Sequence, residues 1–143
     1  MARILAFLPL LMPALVWSAG FSPTRPAPGH PLVGKWQWTR AVNRCTELYE
    51  YRADGTGRVL SGAERTDNVY TVSADPDSEG FYRLTMRVEK DYGGRDCADD
   101  ESDTTGMELT SFIRFNPERT QYLACFDGPE GRRCFGPLRR VKQ

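Results

Sequence analysis

Apolar and polar residues alternate over several short stretches of this chain. Between positions 82 and 88, every even-numbered residue is apolar, whereas every odd-numbered residue is Arg or Thr. A period of two is typical of a β-strand with one face packed and the other face in water. No stretch sustains the 3.6-residue period of a helix, so the pattern predicts an all-β protein.

Turn-forming residues divide the chain into eight strand-like segments that recur about every ten residues. Asp54-Gly55-Thr56 and Asn116-Pro117 are two of these turn signals. The predicted strands are residues 35–41, 45–53, 57–63, 68–74, 81–89, 107–116, 121–127 and 132–141. Eight strands joined by mostly short links form a meander, which predicts a closed, antiparallel up-and-down barrel. The alternative architecture is a small two-sheet β-sandwich.

Residues 1–20 have the order of an export signal. An arginine precedes an apolar run over 4–17, and small residues follow at 18–20. The run contains two prolines and is shorter than the roughly 20 residues that span a membrane, so we expect no stable membrane anchor. We therefore predict cleavage near 18–20 and a periplasmic or secreted protein. The Pro-rich segment 21–31 is then an extended lead-in to one domain over 32–143.

Four cysteines occur in the chain, at Cys45, Cys97, Cys125 and Cys134. An even number of cysteines in an exported chain predicts disulfides. Gly-Pro-Glu-Gly at 128–131 is a tight-turn signal, and a hairpin closed by this turn places Cys125 opposite Cys134. The second disulfide is then Cys45–Cys97, although counting strands alone leaves the other pairings open. A zinc site is the alternative, but it has no Cys-x-x-Cys spacing and no spare histidine to draw on.

The charge balance changes which functions are plausible. Nineteen Lys and Arg residues offset nineteen Asp and Glu residues, so the chain lacks the basic footprint of a nucleic-acid binder. The one histidine, His30, lies in the Pro-rich segment and leaves little from which to build a metal site or a Ser-His-Asp triad. The serines have neither a nearby base nor a Gly-x-Ser-x-Gly setting. We therefore expect no enzymatic activity, no cofactor and no metal.

One link carries a run of acidic residues. Its carboxylates belong to Asp96, Asp99, Asp100, Glu101 and Asp103. Such a cluster can clamp Ca²⁺ or meet a basic partner. A solvated loop tied down by Cys97 is the simpler interpretation, and the one we favour.

Short motifs at both ends of the domain resemble the lipocalin and other calycin barrels. Gly34 to Trp36 resembles their Gly-x-Trp opening, and Tyr51 to Thr56 resembles the aromatic-x-x-Asp-Gly-Thr turn of small bacterial lipocalin-like domains. The resemblance implies that Arg139 or Arg140, on the last strand, packs over Trp36 at the closed end of a barrel. The chain is shorter than typical lipocalins, and we find no helix after the last strand.

Alternate links of an up-and-down barrel share one end. The open end would therefore hold the links 42–44, 64–67, 90–106 and 128–131. All four cysteines then lie at or near the open end, which agrees with both predicted disulfides.

Two functions fit this pattern. The first is non-enzymatic binding of a small apolar ligand near the open end. The candidate lining residues are Trp38, Tyr49, Tyr70, Tyr82, Leu84 and Met86. Trp38 can instead belong to the core. Glu47 shares the inward face of its strand, where it pairs with an inward Arg or binds a polar group of the ligand.

The second function is binding of an extracytoplasmic protein by a barrel with a filled core. Small periplasmic metalloprotease inhibitors are similar barrels that insert an N-terminal tail into a protease, and residues 21–31 match that tail in position. The volume of the lumen distinguishes the two functions, because a cavity of a few hundred cubic ångströms favours a ligand.

Overall fold

A closed barrel of eight antiparallel strands forms the whole domain. The structure is a computed structural model and describes residues 21–126 and 133–142. The strands are β1 (Gly34–Thr39), β2 (Thr46–Tyr51), β3 (Thr56–Ser61), β4 (Glu64–Val72), β5 (Tyr82–Asp91), β6 (Glu108–Phe115), β7 (Gln121–Cys125) and β8 (Cys134–Arg140). Each strand pairs with the next, and β8 pairs with β1. The predicted up-and-down barrel is confirmed, and the two-sheet sandwich is wrong.

Two sequence predictions fall where the structure describes nothing. The export signal over 1–20 and the turn at 128–131 both lie outside the described residues. Within the described part, no helix has the length and apolar character needed to cross a membrane.

The β3–β4 connection is shorter than the sequence pattern predicted. Only Gly62 and Ala63 separate the two strands, and Gly62 has a φ of 59°. Residues 64–67, predicted to be an open-end link, are therefore the first residues of β4. A two-residue hairpin needs this left-handed backbone, which glycine adopts without steric cost. The start of β4 is polar throughout, so hydrophobic alternation could not reveal it.

Trp36 and Arg140 close one end of the barrel. Trp36 is fully buried, and its indole Nε1 donates a hydrogen bond to the carbonyl of Leu32 at 2.8 Å. The Arg140 guanidinium lies 4.2 Å from the centre of the Trp36 ring and donates to the carbonyls of Pro31 and Val33. Arg140 therefore makes the contact with Trp36 that the resemblance implied for either Arg139 or Arg140. Arg139, the neighbouring residue, is exposed.

Gly34 makes room for this arrangement. Its φ is +137°, and a Cβ at this position would lie 2.7 Å from Nη1 of Arg140. This contact explains why the Gly-x-Trp motif has glycine at this position, because any other side chain would displace the arginine.

Aromatic side chains fill the closed half of the lumen. Tyr122 packs edge-on against Trp36 with ring centres 4.8 Å apart, and Tyr51 packs edge-on against Tyr70 at 5.1 Å. The Tyr70 hydroxyl donates to the carbonyl of Arg52 at 2.6 Å. Burial raises the pKa of Tyr51 to about 12, so this phenol remains neutral in the packed base.

The lead-in packs onto the barrel instead of projecting from it. Pro26, His30 and Leu32 are buried. The Leu32 amide donates to Nδ1 of His30 at 3.1 Å, so Nε2 carries the ring proton and donates to the carbonyl of Ser73 at 3.2 Å. Burial lowers the pKa of His30, which favours this neutral form.

Both predicted disulfides form. Cys45 is joined to Cys97 with their Cα atoms 5.5 Å apart, and Cys125 is joined to Cys134 at 4.0 Å. Cys125 and Cys134 are direct cross-strand partners, which confirms the predicted register. Two disulfides fit an oxidising compartment outside the cytoplasm.

Candidate functional site

The open half of the lumen holds a cavity of about 240 Å³. Alternate residues of β5 point inward and form one part of its apolar wall. The apolar side chains that line it are Tyr51, Val59, Leu84, Met86, Val88, Met107, Leu109, Tyr122, Ala124, Phe126 and Phe135. Met107 is 55% exposed and Leu109 is 44% exposed, so an apolar rim borders the cavity.

A carboxylate is buried in the wall of this cavity. Glu47, on β2, is 9% exposed, and its two oxygens accept hydrogen bonds from the hydroxyls of Tyr49 and Ser61. The Ser61 oxygen in turn accepts a hydrogen bond from the amide of Cys97 at 3.0 Å. This chain of contacts connects the Cys45–Cys97 disulfide to the lumen.

Glu47 has no cationic partner in the described part of the chain. None of the ion pairs there includes Glu47. The predicted pair between Glu47 and an inward Arg is therefore not observed among the described residues. Burial, followed by the nearby Glu47 carboxylate, raises the pKa of Tyr49 well above its ordinary value. Tyr49 therefore stays protonated and remains a hydrogen-bond donor to Glu47.

Asn68 presents a second buried acceptor. It lies on β4, lines the cavity and is 3% exposed. Its Nδ2 donates to the Thr66 carbonyl at 3.2 Å and to the Thr66 hydroxyl at 3.0 Å. Since a carbonyl can only accept, these contacts fix which amide atom is nitrogen. The remaining atom, Oδ1, is buried and has no hydrogen-bond partner among residues 21–126 and 133–142.

The pairing of β4 with β5 is irregular next to Asn68. The register between β4 and β5 shifts between Asp67 and Asn68, which leaves Glu89 as an extra residue on β5. Bulges of this kind re-aim side chains and are frequent beside binding sites.

The cavity lining is acidic. Besides Glu47 it includes Glu64 and Asp96, and the described lining contains no Lys, Arg or His. Burial and the carboxylates of Asp91 and Asp96 raise the pKa of Glu64 to about 7. The electrostatic character of the cavity therefore favours a neutral or positively charged occupant over an anion.

The sequence located part of this lining. Of the seven predicted ligand-binding residues, Glu47, Tyr49, Leu84 and Met86 line the cavity. The other three lie elsewhere. Trp38 packs against Phe135 outside the cavity, with ring centres 4.8 Å apart.

Tyr70 and Tyr82 belong to the closed half of the barrel. Tyr70 is fully buried beside Tyr51, and Tyr82 packs against His30 at 5.0 Å between ring centres. Period-two alternation gives the face on which a residue lies, but it does not give the depth along the barrel axis.

Apart from Glu47, polar members of the lining were not predicted as ligand-binding residues. They include Ser61, Thr66, Asn68 and Ser111, all buried. Thr66 and Asn68 alternate with Tyr70 along β4, so parity with an inward tyrosine was the signal that could have located them.

The acidic link satisfies its own backbone. Asp96 accepts hydrogen bonds from the amides of Ala98 and Asp100, and Asp91 accepts from those of Gly93 and Thr104. No group of three or more His, Cys, Asp or Glu side chains suited to a metal ion occurs in the part of the chain that the structure covers.

Comparisons of the chain with protein-family models, with curated proteins and with solved structures find no match.

Proposed function

We propose that this protein is an exported, non-enzymatic binding protein of the lipocalin-like (calycin) type. It holds a small, largely apolar molecule in the lumen near the open end. The single observation that carries the proposal is the cavity of about 240 Å³ behind an apolar wall and rim. Ligand sites are concave, mostly apolar and supplied with a few polar groups, and this cavity has all three properties.

The volume limits the size of the ligand. Pockets for drug-sized molecules measure about 300–1,000 Å³, so this cavity suits a single aromatic ring or a short aliphatic chain. Two disulfides support export, since such bonds persist outside the cytoplasm. The Arg140 contact on Trp36 supports the lipocalin-like assignment, because the resemblance implied it.

The alternative function was binding of an extracytoplasmic protein by a barrel with a filled core, as in a protease inhibitor, with residues 21–31 in the position of an inserted tail. Pro26, His30 and Leu32 are buried against the closed end. Pro26 and His30 of the lead-in are therefore held by its own domain, whereas residues 22–25, 28 and 29 are exposed. The cavity is accordingly the better-supported site.

A titration with toluene tests the proposal. Amide chemical shifts followed by NMR should change saturably for the cavity-lining residues, including Leu84 and Met86. Val59→Phe should abolish these changes, because Val59 lines the cavity and a phenyl ring would occupy it.

Leu60→Phe is the matched control. Leu60 is adjacent on β3 and is 36% exposed on the outer face, so this variant should bind toluene as the unmodified protein does. Shift changes that are absent, or that persist unchanged in Val59→Phe, would refute binding in the lumen.

A further inference from the structure

Two polar side chains that line the lumen, those of Glu47 and Asn68, are not fully satisfied by partners in the described chain. Glu47 is a buried carboxylate whose observed partners are two neutral hydroxyls. Burying a carboxylate without a cation is unfavourable, and one charge partner offsets much of that cost. A cationic group of a ligand would therefore be stabilised most strongly beside the Glu47 carboxylate.

The Asn68 acceptor is an independent observation on a different strand. Its Oδ1 is buried with no partner in the described chain, and an unsatisfied buried acceptor is rare in folded proteins. Only a hydrogen-bond donor can satisfy it, and a donor in the cavity reaches this oxygen after a small shift of the Asn68 side chain, because the oxygen itself is not accessible to water. The cavity lining as described offers no Lys, Arg or His side chain for that purpose.

We propose that the lumen binds a small primary amine with an apolar body and a second hydrogen-bond donor. The ammonium group binds the Glu47 carboxylate, the body lies on the wall formed by Leu84 and Met86, and the second donor binds Oδ1 of Asn68. This inference rests on the proposed ligand-binding function and adds the chemical class of the ligand. The carboxylate of Asp96, and that of Glu64 once it ionises above about pH 7, attract the same cation.

The size of the cavity agrees with this class. A single ring bearing an aminoethyl chain and a hydroxyl carries both donors at opposite ends of an apolar body. Anionic ligands of similar size meet the carboxylates of Glu47 and Asp96 in the lining, joined by Glu64 above about pH 7, and no Lys, Arg or His side chain in the described lining. Like-charge repulsion should therefore weaken the binding of an anion.

Four probes with one shared ring separate the contributions. Tyramine carries both donors, 2-phenylethylamine carries only the ammonium, 4-ethylphenol carries only the hydroxyl, and ethylbenzene carries neither. Calorimetric titration should show that the ammonium improves affinity roughly 10- to 100-fold, the range of a hydrogen bond to a charged group. The hydroxyl should improve affinity by about 3- to 10-fold, as a neutral hydrogen bond does.

Two variants assign these gains to residues. Glu47→Gln should remove the gain from the ammonium and leave the gain from the hydroxyl, whereas Asn68→Leu should do the reverse. Glu50→Gln is the control, because Glu50 lies on the same strand, pairs with Arg52 on the outer surface and does not line the cavity. Glu47→Gln should also melt at the same temperature as the unmodified protein or higher, since it removes a buried charge.

Each remaining outcome decides against a particular claim. Equal binding of all four probes would overturn the amine assignment and leave the proposed binding function standing. An ammonium gain that survives Glu47→Gln would also overturn the assignment. If none of the four probes binds, both the amine assignment and the proposed function fail.

Discussion

Arg140 joins two parts of the chain that are far apart in sequence. Its guanidinium lies 4.2 Å from the Trp36 ring centre and donates a hydrogen bond to the Val33 carbonyl at 3.1 Å. A planar group with several fixed donors can make the ring contact and the carbonyl contacts together, whereas an ammonium group cannot.

Replacing Arg140 with Ala should lower the free energy of unfolding by about 2–3 kcal/mol, the sum expected for one shielded cation–π contact and one or two hydrogen bonds. Arg140→Lys should recover less than half of that loss. Urea unfolding followed by tryptophan fluorescence measures both variants. Arg139→Ala is the control, and equal losses at the two positions would contradict this role for Arg140.

Glu64 gives the molecule a pH-dependent stability with an unusual sign. Burial and the carboxylates of Asp91 and Asp96 raise its pKa from 4.5 to about 7. The folded protein therefore retains a proton that the unfolded chain releases at lower pH. The stabilisation from this proton is complete below about pH 4.5 and is lost as the pH rises through about 7.

Glu64→Gln should imitate the protonated side chain. The variant and the unmodified protein should be equally stable at pH 4, and the variant should be the more stable of the two at pH 8. Urea unfolding across this pH range measures the difference, which should shrink in high salt because part of it is repulsion between carboxylates. A difference that does not change with pH would contradict the assignment.

At the scale of elements, the two disulfides constrain very different lengths of chain. Cys45 and Cys97 are 52 residues apart, whereas Cys125 and Cys134 are 9 apart on strands that already pair. The longer ring removes more conformational freedom from the unfolded chain.

Replacing Cys45 and Cys97 together with Ala should destabilise the protein by up to about 4 kcal/mol, and replacing Cys125 and Cys134 by up to about 2.7 kcal/mol, from loop-closure entropy. Urea unfolding of the two double variants tests the order. A larger loss from the short ring would show that strain or residual denatured structure outweighs loop closure.

The strands also show which features of the lumen can be predicted from the sequence. Alternation in β5 predicts an inward face, because apolar residues recur there with a period of two, and Leu84 and Met86 on that face line the cavity. It did not give the depth of Tyr70 and Tyr82 along the barrel, since depth depends on strand tilt and stagger, which are properties of the closed barrel. Asn68 was not predicted, because an inward polar residue breaks the alternation of apolar and polar residues.

At the scale of the whole molecule, the fold class and both disulfides could be predicted, whereas the packing of the lead-in against the barrel could not. Turn signals and strand count suffice for an up-and-down closed barrel. The burial of Pro26 and His30 depends on packing between the lead-in and the base of the barrel. No local pattern encodes that contact, so the Pro-rich segment was predicted as an extended lead-in only.

The seam between β1 and β8 has a consequence for how the chain reaches this structure. Seven residue pairs join β4 to β5, but only Trp36–Arg140 and Gln37–Arg139 join β1 to β8. Every other ladder links neighbours in sequence and can nucleate as a local hairpin. The seam must bring together segments about 100 residues apart, so it carries the largest entropic cost for the fewest backbone bonds. We therefore expect the β1–β8 seam to form after the local hairpins, with Arg140 stabilising the ring once it is closed.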